Sequence, residues 1–206
     1  MTEREKMLGG KLYDPTDEEL VSLRARARRL CKAYNDCDPD DGDRQETLLK
    51  ELVPNLGAES WINAPLQFDY GCFTTFGARC FVNYNLTVLD CAPVVIGDDV
   101  FFGPNCSLMP PMHPLLSADR ALRQKPDGSW YDLEYAKPIT IGDGCWIAAN
   151  VTVCGGVTIG KNCVIGAGSV VTRDLPDGVI AAGNPCRVIR TLSEADALAN
   201  HPELFA

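Results

Sequence analysis

Aliphatic residues recur every six positions over the second half of the chain. From residue 141 the sequence reads IGDGCW, IAANVT, VCGGVT, IGKNCV, IGAGSV and VTRDLP, with Ile141, Ile147, Val153, Ile159, Ile165 and Val171 in register. The fifth positions of the first five hexads are small or medium residues: Cys145, Val151, Val157, Cys163 and Ser169. The same frame holds earlier, in IGDDVF from Ile96, FGPNCS from Phe102 and LMPPMH from Leu108. Before these stand FGARCF from Phe76, VNYNLT from Val82 and VLDCAP from Val88. Val94 and Val95 put that earliest block two residues out of phase and read as a bulged corner.

A helix repeats at about 3.6 residues and a flat strand at about 2, so neither accounts for a period of six. One short strand and one corner per hexad does, with three hexads closing a triangular coil and residues eighteen apart stacked about 4.8 Å from one another. The pattern therefore predicts a mainly β chain built as a parallel β-helix of hexapeptide repeats, with Ile141 over Ile159, Ile147 over Ile165 and Val153 over Val171. Cys80, Cys106, Cys145 and Cys163 all occupy fifth positions, where a small buried hydrophobe is wanted. Cys145 and Cys163, one coil apart, are expected as reduced, stacked neighbours.

The flanks follow helical spacing. Thr16 with Glu19 forms a capping-box pattern ahead of Leu20, Leu23, Ala27, Leu30 and Tyr34. A second short helix is expected from about Arg44 to Val53, and Ser193 is placed to cap a last helical segment. The expected division is an N-terminal helical arm over residues 1–57, a β-helix over 58–190 and a C-terminal helical tail over 191–206.

With 206 residues, 46% hydrophobic and 23% charged, the composition is that of an ordinary folded protein. No apolar run approaches the roughly 20 residues of a membrane span, and MTEREKMLGGKLYD does not read as a secretory signal. A cytoplasmic chain is expected, and its ten cysteines include no CxxC pair. A net charge of −9 argues against non-specific binding to nucleic acid or anionic membrane. Between residues 138 and 190, however, Lys161, Arg173, Arg187 and Arg190 outnumber Asp143, Asp174 and Asp177, and no Glu occurs. That segment could serve an anionic ligand.

The hexads break at an insertion, residues 114–135, PLLSADRALRQKPDGSWYDLEY. A repeat core accommodates such an excursion by projecting it outward, and projected loops often carry function. His113 is the last residue before it, and the chain's other histidine, His201, lies in the tail. A neutral imidazole suits general-base work near neutral pH. A β-helix zinc centre would need about three histidines, so no metal is expected. No SxxK or GxSxG motif suggests a covalent nucleophile.

EREKMLGGKLYD, FDYGCFTTFGARCFVNYNLTVLD, the MHP before the insertion, KPITIGDGCWIAANVTVCGGVTIGKNCVIGAGSVVTRDLP and AAGNPCRVIR together resemble the maltose and galactoside O-acetyltransferases, over about residues 3–190. The resemblance implies a homotrimer of left-handed β-helices, with active sites between subunits, that moves acetyl from acetyl-CoA to a sugar hydroxyl. His113 would be its general base, acting by direct attack. Asn83, Asp69 and Asp14 match acceptor-side positions. Trp146, Ala149, Ala167, Thr172, Arg173, Arg187 and Arg190 match positions that line the pantetheine groove or reach the CoA phosphates. Cys91 stands where some members carry an acid, which leaves the acceptor open. The alternatives are a xenobiotic O-acetyltransferase on the same fold, or a noncatalytic trimeric β-helix module.

Overall fold

A computed structural model describes residues 1–205 of the chain. From Asn55 onward, successive short strands build three faces of a triangular prism, each a sheet of parallel strands. Face 1 stacks Asn55–Leu56, Thr74–Phe76, Val94–Ile96, Ile139–Ile141 and Thr158–Ile159. Face 2 stacks Trp61–Ile62, Phe81–Val82, Phe101–Phe102, Trp146–Ile147, Val164–Ile165 and Val179–Ala182, and face 3 stacks Leu66–Phe68, Leu86–Val88, Ser107–Met109, Thr152–Cys154 and Val170–Val171. Ile141 pairs with Ile159, Ile147 with Ile165 and Val153 with Val171, and all six are buried, as the period predicts. Each such side chain contributes about 1.5–3 kcal/mol by leaving water.

The fourth hexad position carries a second rule that the aliphatic period conceals. Asp99, Asn105, Asn150 and Asn162, with Gly144, Gly156 and Gly168, all have φ between 53° and 86°. Glycine, asparagine and aspartate enter that region at the lowest cost and fill most of these corners, while Glu59 and Arg79 hold the same left-handed position in the first two coils. At the second position a different constraint acts: a Cβ on Gly97 would run into Asp143 of the next coil.

Val94 and Val95 are not a bulged corner. Val94–Ile96 is a regular strand paired with Thr74–Phe76, and the extra residues lie in the preceding corner, 89–93, stacked over the equally wide corner 69–73. Asp90 fills the extra space, accepting from the N–H of Tyr70 (2.8 Å), the N–H of Phe73 (3.3 Å) and Thr74 Oγ1 (3.0 Å). Burial pushes its carboxyl up despite these donors. A polar residue accounts for the phase shift, so an aliphatic pattern misplaces it.

The ten cysteines are free thiols, and the N–H of Cys163 donates to Cys145 Sγ at 3.4 Å, making them stacked neighbours. Both ends of the prism are covered. Helix α1 spans Glu3–Leu8, α2 Glu18–Asn35 and α3 Gly42–Leu52. Ala27, Leu30, Cys31 and Tyr34 of α2 join Leu49 and Leu52 of α3 over the first coil. The side-chain amide of Asn35 takes the place of a missing strand, donating to Leu66 O (2.8 Å) and accepting from Leu66 N (2.9 Å). At the other end Arg187–Thr191 pairs antiparallel with Val179–Ala182.

The cap of α2 differs from the expected capping box. Asp17 accepts from the N–H of Glu19 at 3.1 Å and of Leu20 at 3.5 Å, while Thr16 donates its N–H and hydroxyl to Asp14. A carboxylate directly before the first turn reaches its free N–H groups and outcompetes the hydroxyl one residue earlier. Helix α3 starts at Gly42, two residues before the expected Arg44, because Asp41 caps it. After Ser193 the tail forms short 3₁₀ turns, Glu194–Asp196, Leu198–Asn200 and Pro202–Phe205, rather than a continuous α-helix.

The corner rule makes a stability prediction at exposed Asn162. Asn162→Ala should destabilise the fold by about 1 kcal/mol, while Asn162→Gly stays within a few tenths, as read by denaturant unfolding. Equal stability of the two variants would refute the left-handed requirement.

Candidate active site

The prism has three edges, and the sequence-predicted residues divide among them. The edge from face 3 to face 1 carries Asp69, Cys91, the insertion with His113, and, further along, Thr172 and Arg173. The edge from face 2 to face 3 carries Asn83, Ala149 and Ala167. Trp146, Arg187 and Arg190 lie on face 2.

The insertion leaves and returns side by side, with Pro111–Met112 antiparallel to Tyr135–Ala136. Beyond that base, Arg123–Gln124 pairs with Trp130–Tyr131 in a hairpin. The loop then folds onto the N-terminal arm. Tyr13 and Glu134 form a two-bond backbone bridge of 2.9 and 3.2 Å, and the Tyr13 hydroxyl donates to Glu134 Oε2 at 2.8 Å. Lys125 Nζ lies 2.5 Å from Asp14 and 2.8 Å from Thr16 Oγ1. Burial pushes the Asp14 carboxyl up, but its hydrogen bonds with Lys125 and Thr16 outweigh this and hold it below the usual range. The acceptor-side aspartate expected from the sequence is thus engaged by the insertion in this chain.

His113 follows Met112 and is half exposed, with Nδ1 at 3.6 Å from Asp132 Oδ2. Glu134 adds a further carboxylate, and one donor atom from each of the three residues lies within 4.8 Å of the others. This set offers a single imidazole, and its glutamate already accepts from Tyr13. Beside it opens a cleft of about 320 Å³ lined by Tyr13, Thr16, Arg24, Asp69, Cys91 and Glu134, among others. Burial pushes the Asp69 carboxyl up while Arg24 and Arg28 pull it back. Arg24 is itself held, donating to the Tyr70 hydroxyl at 2.6 Å and to the Pro15 carbonyl. The Cys91 thiol, buried against Tyr13, is pushed up to about 12, so a neutral thiol stands there.

Asn83, half-buried on its own edge, accepts from the N–H of Tyr84 at 2.8 Å, which leaves its NH₂ for another partner. Trp146 is 54% exposed and continues a column with Phe101 (51%) and Phe81 (37%) on face 2. Arg190 makes a forked ion pair with Asp196 at 2.6 and 2.7 Å. Arg187 donates to the Cys186 carbonyl at 2.7 Å. One chain therefore places His113 and Asp69 on the same edge, and Asn83 and the two alanines on another. Asp132, Glu134, Tyr13 and Lys125 escaped the sequence reading. The spacing of Asp132 and Glu134 was a signal for two of them, since residues two apart on an extended limb point to one side.

Residues 6–57 match the family described as maltose acetyltransferase hexapeptide capping motif, and residues 138–173 the bacterial transferase hexapeptide family. The galactoside O-acetyltransferase of Escherichia coli K12 is 40% identical over 196 residues, covering 95% of this chain and 91% of that protein. The crystal structure of a maltose O-acetyltransferase from Clostridium difficile 630 superposes with a TM-score of 0.87 at 39% identity, covering 94% of this chain and 99% of the other. A galactoside acetyltransferase in complex with coenzyme A gives 0.87 at 38% identity, covering 95% and 94%.

The tie between insertion and arm is testable without reference to activity. Lys125→Ala should speed limited proteolysis within residues 114–135 at pH 7 by about 2- to 5-fold, consistent with a partly exposed ion pair. Because the Asp14 carboxyl is lowered in the folded protein, the tie is present above the usual carboxylate range and lost as pH falls below about 4. An unchanged cleavage rate would show that the loop is held by other contacts.

Proposed function

The chain belongs to the maltose and galactoside O-acetyltransferase family and is an acetyl-CoA-dependent acyltransferase, and from that premise we propose that it acetylates a sugar hydroxyl by direct attack with His113 as general base. The observation that carries the reading is a half-exposed imidazole at the root of the insertion, flanked by carboxylates and beside a polar cleft. His113 Nε2 takes the hydroxyl proton as the acceptor oxygen attacks the thioester carbonyl. The tetrahedral adduct then collapses, breaking the C–S bond, and the departing sulfur recovers a proton. Asp69 and, from its own edge, Asn83 bind the acceptor. Membership in the family sets aside the noncatalytic module.

The division of these residues between two edges supports a homotrimer. Contact of one copy's edge with a different edge of the next is heterologous, and a threefold rotation closes it into a ring. Such packing brings Asn83, Ala149 and Ala167 of one copy to His113 of another. It also covers the aromatic column Phe81, Phe101 and Trp146, which a monomer leaves in water. The pantetheine runs along Trp146, Ala149 and Ala167. Thr172, Arg173, Arg187 and Arg190 receive the phosphate end, where the guanidinium forks suit phosphate oxygens. The reading extends to a cytoplasmic setting, supported by ten unpaired thiols.

His113→Ala should lower acetyl transfer by about 10²- to 10⁴-fold with folding and acetyl-CoA binding retained. Thiol release measured against a panel of sugars, nucleosides and hydroxylated antibiotics reads both the rate and the acceptor. Near-normal turnover of the variant would overturn the assignment.

Arg187→Ala should raise the dissociation constant for acetyl-CoA about tenfold at an unchanged melting temperature. Arg190→Ala should weaken donor binding and also lower the melting temperature, because its ion pair with Asp196 fastens the tail. Calorimetric titration and thermal unfolding on the same samples separate the effects, and unaltered donor affinity in both variants rejects the phosphate role.

A further inference from the structure

We infer that Asp132 is a positioning residue for His113, holding the imidazole by its Nδ1 side so that Nε2 faces the cleft, and that delivering this carboxylate is a task of the insertion. The inference rests on His113 being the general base. His113 lies just beyond one limb of the antiparallel pair Pro111–Met112 and Tyr135–Ala136, and Asp132 approaches along the other. Their side chains meet at 3.6 Å, Nδ1 to Oδ2. Among the described residues, Asp132 has no other ion-pair or hydrogen-bond partner, although its side chain is only 25% exposed.

Glu134, the nearest rival, is already committed. It accepts from the Tyr13 hydroxyl at 2.8 Å, and its backbone is tied to Tyr13 in both directions. That commitment has a structural consequence. Glu134 anchors the returning limb just after Asp132, and the hairpin pairing of Trp130–Tyr131 anchors it just before. Lys125 fixes the far end of the hairpin to Asp14. Asp132 is therefore held between two anchors at the one place where the limb passes the imidazole.

The chemistry explains why the base needs such a partner. A neutral imidazole has one protonated nitrogen, and free in water it favours the proton on Nε2, the atom that must accept one here. A carboxylate at Nδ1 draws the proton to that nitrogen and leaves the Nε2 lone pair free. Once Nε2 has taken the hydroxyl proton, the same carboxylate stabilises the imidazolium. A resting separation of 3.6 Å is longer than a hydrogen bond, and catalytic contacts commonly tighten when substrate binds.

The test uses the full-length protein and its Asp132→Asn, Asp132→Glu, Glu134→Gln and His113→Ala variants. Asp132→Asn should lower kcat about tenfold or more while both KM values stay within about twofold, and Asp132→Glu should recover part of the loss. With ¹⁵N-labelled histidine, only two imidazoles are seen, and His113→Ala identifies one. In the wild type the neutral His113 ring should carry its proton on Nδ1, and Asp132→Asn should move it toward Nε2. The ring tautomer of Glu134→Gln should match the wild type, whatever its turnover. A wild-type ring protonated on Nε2, or a tautomer altered by Glu134→Gln and not by Asp132→Asn, overturns the role of Asp132. Should Asp132→Asn fail to fold, the wild-type tautomer alone decides. Full activity in His113→Ala would instead overturn the base assignment, and this inference with it.

Discussion

Every coil in this protein must lay its strands on those of the coil before it, hydrogen bond by hydrogen bond, and the rest of the structure follows from that stacking. A ladder spaced at about 4.8 Å tolerates no drift, so each hexad must use the same number of residues or discharge the excess at an edge. Aliphatic residues at the first position and small ones at the fifth fill the interior. Residues that accept a left-handed backbone turn the corners. Four of the buried thiols serve here as fillers of the right size, which is why a cysteine-rich chain makes no disulfide.

Departures from the hexad are absorbed in ways the ladder permits. The wide corners 69–73 and 89–93 stack on each other, and buried Asp90 supplies three hydrogen bonds that two ordinary corners would not need. A parallel stack also has two open ends whose backbone groups need partners. Asn35 imitates a neighbouring strand at one end, while at the other an antiparallel strand and the Arg190–Asp196 pair close the sheet. The insertion is the largest departure, and it leaves the prism without disturbing register because its two limbs pair with each other at the root.

The same device serves the proposed chemistry. A rigid prism fixes the root of the loop, and His113 inherits that rigidity. The far part of the loop gains order from the N-terminal arm through Tyr13 with Glu134 and Lys125 with Asp14. An arm that would otherwise be a simple end cap thus becomes part of the cleft wall, with Asp69 and the neutral Cys91 thiol facing Tyr13 and Arg24. The proposed site draws its remaining residues from a different edge of the prism, so in the proposed trimer assembly and catalysis would share one geometric requirement.

The sequence by itself determined the coil, its register from Ile141 to Val171 and the burial of the fifth-position cysteines. It did so because each hexad is a local pattern that meets only copies of itself. It also marked His113, because the pattern visibly stops there. It could not locate the extra residues near Val94, since the polar Asp90 that accommodates them has no place in an aliphatic period. It assigned the cap of α2 to Thr16 because hydroxyl and carboxylate differ only in which free N–H each reaches once folded. The partners that the arm finds in the insertion, Lys125 for Asp14 and Glu134 for Tyr13, were decided by tertiary structure alone. Tyr13 meets Glu134 across 121 residues of chain, and no periodicity carries information over that distance. Such contacts arise only when a folded scaffold brings an aperiodic loop and an aperiodic arm to the same edge.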